Sequence, residues 1–442
     1  MIPKKINPNL NSLFSTFRDQ LNQKHPLYIL ADKIDWQRFN DAFTPLYSKS
    51  KGRPAKPIRL MCGLLMLKHI RNISDESVVE QWAENSYYQY FCGGTNFNPN
   101  PPCNATDLVH FRKRIGEQGI ELILKESIRV NDDDNDNRKN DTAFIDSTVQ
   151  EKNITYPTDA KLHKKIIKKC QAIAKLNDIE VRQTYTRTIK KLSVDQRFRS
   201  HSKNKKKAFR ADKKIKTIAG RLVRELERNL PVDSIHMKDL ALFTRVLEQK
   251  RGDKNKVYSL HEPEVRCISK GKEHKKYEFG NKVSIIRTAA GLIIGAMSFR
   301  NEYDGHTIDP SLEQVERLLG RRPKILAGDR GYRGQKESGE TNILIPGVAL
   351  KRDSRYQKAK KRKLFCKRAG IEPTIGHLKS DHRLGRNFYK GIVGDSINVM
   401  LASAAYNFKR AMRVLLAYII LIFKGILFQT SSDCRNRLAI EG

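Results

Sequence analysis

Apolar residues recur at helical spacing through the first 130 positions. Ile58, Leu60, Met61, Leu64, Leu65 and Leu67 mark one face of a helix over Pro57–Ile70. Asn72 and Ser74 follow as caps, and Asp75 and Glu76 favour the first turn of the next helix. That helix is expected to run through Val78, Val79 and Trp82 toward Tyr90, where Gly93–Gly94 stops it. After a Pro/Asn stretch, Thr106–Ile115 sets Arg112, Lys113 and Arg114 beside Leu108 and Phe111. Short helices, tight connections and basic residues on the last helix predict a helix-turn-helix-like module over 1–130, with Arg112 and Arg114 as candidate DNA contacts. Any small helical bundle shares this pattern. Residues 131–141 contain no apolar side chain and are dominated by acids and turn formers, which predicts a solvated linker.

Beyond the linker the period changes. Thr142–Ile145 reads as a short strand closing on Asp146, and Thr148–Ile154 as a second. Residues from about 160 to 250 return to helical spacing, with Ile166, Ile167, Ile173 and Ala174, then Ile218, Leu222 and Leu226. Strands are expected again at Val257–Leu260, Glu264–Cys267, Phe279–Thr288 and Leu292–Phe299, the last two joined by a turn at Gly291. Pro310–Leu319 is an amphipathic helix, Pro323–Ala327 an apolar strand running into Gly328–Asp329–Arg330–Gly331, and Ile343–Ile345 one more strand. Tyr356–Lys379 and Ser396–Met412 read as helices. The pattern predicts an α/β body over 142–412.

Charge sharpens this picture. The 442 residues carry a formal net charge of +37, which calls for a polyanionic partner, nucleic acid first and an anionic membrane second. Residues 161–230 hold 23 Lys and Arg against six Asp and Glu. A solvated helix face usually alternates sign, and this one does not. Lys203, Lys205, Lys206, Lys207 and Arg210 are its densest run and the candidate phosphate-backbone contacts. Seven cysteines without any C-x-x-C point to reduced thiols in a cytosol-like compartment, with no zinc ribbon or finger. No signal peptide is expected at the polar start. The apolar run Val414–Phe428, within an extension over 413–442, falls short of the roughly 20 residues a spanning helix needs. It reads as a buried or partner-facing helix, with a membrane anchor as the alternative.

Two strands run into a carboxylate followed by turn residues: Asp146 in F-I-D-S-T and Asp329 in I-L-A-G-D-R-G. Each alone is an ordinary turn former. Paired on one sheet in a basic protein, they suggest oxygen ligands for Mg²⁺, which bridges phosphates. Two such ions about 3.5–4 Å apart can hold both oxygens of an in-line phosphoryl transfer. Glu372 is the third candidate. Arg368 and Lys379 stand four residues before it and seven after it, near one helical face. Pro373 means that the helix either begins near Glu372 or kinks there. Tyr87, Tyr88, Tyr90 and Phe91 read as core. His377 and His382 read as surface or phosphate-contacting residues, and Thr307 or Asp309 as a helix cap.

The combined motifs carry a resemblance. Phe365-x2-Arg368-x3-Glu372-x6-Lys379 is similar to the Y-x2-R-x3-E-x6-K signature of bacterial insertion-sequence transposases of the DDE type. The segments from Phe144 and Gly328 resemble the first and second acid regions of the insertion sequence 5 branch, and Pro57–Ile115 resembles that family's N-terminal domain. The resemblance implies an RNase H-like catalytic core interrupted by a basic helical insertion. It further implies divalent-metal cleavage and joining of double-stranded DNA at terminal inverted repeats. It implies Asp146, Asp329 and Glu372 as the metal-binding triad, for two Mg²⁺ ions with Mn²⁺ as the alternative, and Arg368 and Lys379 as DNA contacts. A cytoplasmic, nucleoid-associated homodimer on DNA, with no membrane, is the expected setting. A non-catalytic DNA-binding regulator and a nuclease of the same fold without strand transfer are the alternatives. The family's Tyr is Phe365 here, so a role needing a phenol hydroxyl is lost.

Overall fold

The helical period of the N-terminal segment is realised as short helices at Pro26–Lys33, Trp36–Phe43, Ile58–Arg71, Asp75–Glu84 and Ser86–Phe91, then Ala105–Arg129, which is broken in two at Gly116, where φ is 60°. The computed structural model describes residues 15–48, 54–131, 141–250, 252–269, 276–347 and 352–438, with side chains as far as 414. Ser74 caps as expected, its Oγ accepting from the Ser77 amide at 3.1 Å. The helix expected to reach Tyr90 is two, because the Asn85 side chain caps a new start, accepting from the Tyr88 amide at 3.1 Å. Tyr88, Tyr90 and Phe91 are buried, as a core reading requires. Of the expected acidic linker, residues 132–140 lie outside the described residues.

The chain divides into two compact units. One takes the chain to Gln150, Val283–Tyr389 and Val393 onward; the other takes Glu151–Lys282 with Lys390–Ile392. The helices that sequence reading set apart as 1–130 therefore belong to the same unit as most of the sheet. Leu30, Phe39, Leu64 and Phe91 from those helices share one core with Ile285, Ile293, Val315, Leu326, Leu401 and Phe408.

The strands are β1 (Thr142–Lys152), β2 (Arg266–Ser269), β3 (Tyr277–Thr288), β4 (Ile293–Phe299), β5 (Ile325–Ala327), β6 (Glu337–Ser338), β7 (Thr341–Leu344) and β8 (Arg386–Asn387). In the first unit the order is β3–β1–β5–β7–β6, with β4 returning against β3. Strands β1, β5 and β7 run parallel, and β6 is antiparallel to β7. The sheet is thus mixed. The β3–β4 hairpin turns at Gly291, whose φ of 91° suits glycine, and the Thr288 amide closes it on the Leu292 carbonyl at 2.8 Å. Helix Ile308–Leu319 packs on β4. The expected single helix Tyr356–Lys379 is broken into Arg355–Arg368 and Ile371–Asp381.

The second unit is built on helices Asp159–Leu176, Thr186–Asp195, Ser202–Asn229 and Met237–Glu248. Leu162, Ile166, Ile215, Ile218, Leu222, Leu226 and Phe243 form its core. The apolar stripe of the long helix turns inward at i, i+3, i+4 and i+7, which leaves its basic positions outside. Strand β2 pairs antiparallel with the first residues of β3. Val257–Leu260 is not a strand. Val257 and Leu260 are buried in this core, and the Gln249 side chain, not a neighbouring strand, takes the Val257 amide, at 3.0 Å. Apolar residues in an irregular segment mimicked a strand.

No helix among the described residues is long and apolar enough to cross a membrane. The C-terminal helix runs Gly391–Leu438, and the side chains of Val414–Phe428 beyond 414 lie outside the described residues.

Candidate active site

The register of β1 and β5 brings the first two acids together. Phe144 pairs with Ala327, the last residue of β5. Asp146 and Asp329 each lie two residues further on. Side chains repeat with period two along a strand and neighbouring strands are about 4.8 Å apart, so both acids begin on one face at adjacent positions. The expectation that β1 closes on Asp146 is corrected, because β1 continues to Lys152. The rim arises because β5 stops at Ala327. Beneath it, Phe144, Ala327 and Ile371 form a small apolar cluster with Leu364, Phe365 and Ile375 packed against it. The position expected to carry a phenol thus holds a ring engaged in packing.

Backbone amides fix both carboxylates. Asp146 Oδ1 accepts from the Ser147 amide and Asp329 Oδ1 from the Gly331 amide, each at 2.8 Å. The guanidinium of Arg368 lies between them. Its Nη2 is 3.4 Å from Asp146 Oδ2 and 3.9 Å from Asp329 Oδ2. The Arg368 side chain is only 14% exposed, so this charge is held at the rim and not free in water. Arg287, on β3, fastens the helix break that follows: Nη1 donates to the Gly370 carbonyl and, at 2.6 Å, to Thr374 Oγ1. Sequence reasoning missed Arg287, since its targets lie more than 80 residues away.

Glu372 stands in the first turn of Ile371–Asp381, so a new helix begins near it and Pro373 occupies a tolerated first-turn position. It is exposed, and among the described residues no hydrogen bond or ion pair joins it to the two aspartates. Lys379 follows two turns later and is half-buried.

A further carboxylate, which sequence reasoning passed over, lies at this rim. Asp304 opens the turn Asp304–Thr307, which packs against the turn Arg330–Tyr332. A side chain at Gly331 would place its Cβ 2.9 Å from Asp329 Oδ1 and 3.0 Å from Asp304 Oδ2. The two oxygens are therefore no more than about 6 Å apart, and a side chain at 331 would displace one of these carboxylates. Tyr332 is fully buried beneath. Burial pushes its phenol well above the ordinary range, and the charges of Asp304, Asp146 and Asp329 push it further. The D-G pair at 304–305 was a visible turn signal, but nothing local says which turn it stacks on.

Other sequence-derived sites resolve differently. Arg112 is buried and grips Asp75 in a two-pronged ion pair, both contacts at 2.8 Å, with its guanidinium over the Tyr389 ring. The expectation that it contacts DNA is corrected: the charge is spent inside the unit. Arg114 stays exposed, stacked on Tyr47. His382 is not a surface residue. It is buried, its Nδ1 lies 3.0 Å from the His69 carbonyl, and burial lowers its pKa to about 4. Asp309 accepts from Gln335 Nε2 at 2.9 Å and also from Ser338 Oγ, so it ties the β6 region to its helix. Lys203, Lys205, Lys206, Lys207 and Arg210 are all exposed on the first turns of Ser202–Asn229.

Among the described residues no group of three or more His, Cys, Asp or Glu side chains is arranged to hold a metal ion as it stands. The donor set nonetheless suits a hard divalent cation, since the acids at the sheet rim offer carboxylate oxygens.

The model for the "Transposase domain (DUF772)" matches residues 15–114, and that for the "Transposase DDE domain" matches residues 256–408. A curated relative from Rhizobium meliloti, "Uncharacterized protein ORF8 in nfe locus", is 40% identical over 206 residues, 46% of this chain and 99% of that protein. No solved structure matches. The DDE match takes in Asp304, Asp329, Arg368 and Glu372, while Asp146 precedes it. The chain thus carries two matched transposase domains, the second of them of the DDE type.

Proposed function

We propose that this transposase, an RNase H-like enzyme of the insertion sequence 5 branch, cuts DNA at the terminal inverted repeats of an insertion sequence and joins the 3′ ends to target DNA. The observation that carries this reading is the meeting of Asp146 and Asp329 at adjacent rim positions around Arg368. Asp146, Asp329 and Glu372 are the residues that would hold Mg²⁺ or Mn²⁺, in two sites. Divalent cations supply, when bound, the positive charge that offsets the developing charge of an in-line displacement at phosphorus.

The chain's own residues then divide the work. The aspartates are held rigidly by neighbouring amides, which keeps their oxygens aimed off the sheet. Arg368 neutralises part of their charge and presents a cation beside any phosphate drawn to the rim. Lys379 would contact the same strand from the next helix. Lys203, Lys205, Lys206, Lys207 and Arg210 would grip the backbone in a sequence-independent way. Hydrolysis at the element's end frees a 3′-hydroxyl, and that hydroxyl attacks the target. Both steps are phosphoryl transfers, so one site serves both without a covalent protein intermediate. Holding two ends together makes a homodimer on nucleoid DNA the working unit.

The reading is tested by incubating the protein, Mg²⁺ and a labelled duplex carrying the element's end. A nick leaving a 3′-hydroxyl at the end, and joining of pre-cleaved ends to a second duplex, are the expected products. Binding without nicking would leave a DNA-binding regulator, and nicking without joining would leave a nuclease.

A further inference from the structure

We propose that Asp304 is a further carboxylate of the active site, standing with Asp329 and Asp146 to hold the divalent cation. This rests on reading the rim as a metal-dependent phosphoryl-transfer site. Three features of the structure carry it.

The first is distance. Asp304 Oδ2 and Asp329 Oδ1 lie on either side of the Cβ position that Gly331 leaves empty, 3.0 and 2.9 Å from it. Oxygens sharing one octahedral Mg²⁺ are about 3–4 Å apart, given metal–oxygen distances of about 2.0–2.1 Å. The pair is at most about 6 Å apart, within reach of one shared ion. Glu372, by contrast, is exposed on a separate helix.

The second is the way the Asp304 turn is fixed. Thr307 Oγ1 donates to the Asp304 carbonyl at 2.7 Å, closing the turn on itself. Tyr303 Oη donates to the Arg333 carbonyl at 3.3 Å, which staples this turn to the one carrying Asp329. A side chain at Gly305 would strike the Tyr303 ring at 2.9 Å and the Arg333 carbonyl at 3.1 Å. The two turns therefore pack closely, and their stacking sets Asp304 beside Asp329.

The third observation is independent of the acids. Tyr332 is fully buried, and among the described residues its hydroxyl makes no well-formed hydrogen bond, with the Ser284 side chain as its nearest partner. Its ring lies under the rim, 3.0 Å from where a Cβ at Gly328 would sit, where the fields of Asp304, Asp146 and Asp329 reach it. A buried phenol is destabilising when its hydroxyl is unmatched. A buried hydroxyl beneath these carboxylates would serve as an outer donor to a carboxylate that holds an ion. Ligands of metal ions are held in this way by outer donors.

The test is divalent-ion binding by the full-length protein without DNA, measured calorimetrically with Mn²⁺, Mg²⁺ and Cd²⁺. Asp304→Asn is expected to weaken Mn²⁺ binding at least about tenfold, as a lost ligand or outer partner does. Asp304→Cys is expected to raise the Cd²⁺-to-Mg²⁺ affinity ratio at least about tenfold over wild type, because a thiolate selects the softer ion. A merely structural aspartate would not move that ratio. Melting of each variant in chelator identifies those that fold, and the ratio is read from whichever does. Wild-type Mn²⁺ affinity in Asp304→Asn, with binding lost in Asp329→Asn and Asp146→Asn, would overturn the role of Asp304 alone. Wild-type affinity in all three variants would overturn the underlying reading of the rim together with it.

Discussion

Arg368 and Lys207 carry the same charge in different settings. Arg368 is 14% exposed and lies between two carboxylates at a sheet rim. The Lys207 side chain is 65% exposed on the first turns of a long helix, with Asp195 at 3.0 Å. Its neighbours Lys203, Lys205, Lys206 and Arg210 have no anionic partner among the described residues. A cation held between two rim carboxylates stays committed to them and offers a phosphate only what charge is left over. An exposed, flexible lysine gives up only counterions. The rim is therefore built for geometry and the helix for attraction. Net charge alone, summed over the whole chain, conceals this division, and Arg112 shows the point within a single motif. Two residues from the exposed Arg114, it is interior and committed to Asp75.

The largest expected effect is at the rim. Asp146→Ala, Asp329→Ala and Glu372→Ala should each abolish end cleavage in Mg²⁺ while band-shift affinity for the same duplex stays within about threefold. Each removes a cation ligand and few phosphate contacts. Near-wild-type nicking by any of them removes that residue from the site. Next is the helix. Replacing Lys203, Lys205, Lys206 and Arg210 with Gln should weaken binding to all sequences alike. It should also lower the magnitude of the log K against log salt slope by about 3.6, about 0.9 per contact. An unchanged slope would mean that these charges only keep the helix in water.

Arg112→Ala sharpens the contrast from the other side. It should cost about 3 kcal/mol in urea unfolding, as breaking a buried pair does, and leave the salt slope unchanged. Burial alone would raise the Asp75 carboxyl, but the hydrogen bonds and charges of Arg112 and Lys68 hold it below the usual carboxylate range. The stability this pair contributes is therefore full at neutral pH. It falls away as pH drops below about 4 toward the folded-state pKa, and Arg112→Ala should flatten that decline. A loss of DNA affinity in Arg112→Ala without loss of stability would restore it as a contact. The smallest effect is expected at Phe365. Phe365→Tyr should change cleavage less than about twofold, and Phe365→Ala should destabilise by about 2 kcal/mol, since the ring is only partly buried against Phe144 and Ile371. A several-fold gain for Phe365→Tyr would mean that the missing hydroxyl matters.

Much of this was legible before any coordinates. Ser74 as a cap, Gly291 as a hairpin turn and the inward stripe Ile218, Leu222, Leu226 follow from local rules that the fold obeys. The β1–β5 neighbourhood of Asp146 and Asp329 was readable only as two carboxylates meeting turns, because strand order is not a local property. Most of the failures share a cause. Arg112 finds Asp75 at 37 residues' distance, Arg287 finds Gly370 at 83, and His69 meets His382 at 313. Tertiary partners of that kind leave no periodic trace. Asp304 reads in sequence only as part of a turn before a helix, for the same reason, since that turn gains meaning only by stacking on the turn that carries Asp329. Val257–Leu260 failed differently, since burial without strand pairing looks the same in sequence as burial with it.

The division between rim and helix is tested most directly by single-turnover cleavage of a labelled element end at saturating protein. Wild type, Asp329→Ala and the fourfold Gln variant of Lys203, Lys205, Lys206 and Arg210 would be compared. The account predicts that Asp329→Ala occupies the duplex and cuts nothing. It also predicts that the Gln variant, once low salt has forced it onto the duplex, cuts at the wild-type rate. A cleaving Asp329→Ala protein, or a saturated Gln variant that does not cut, would contradict it.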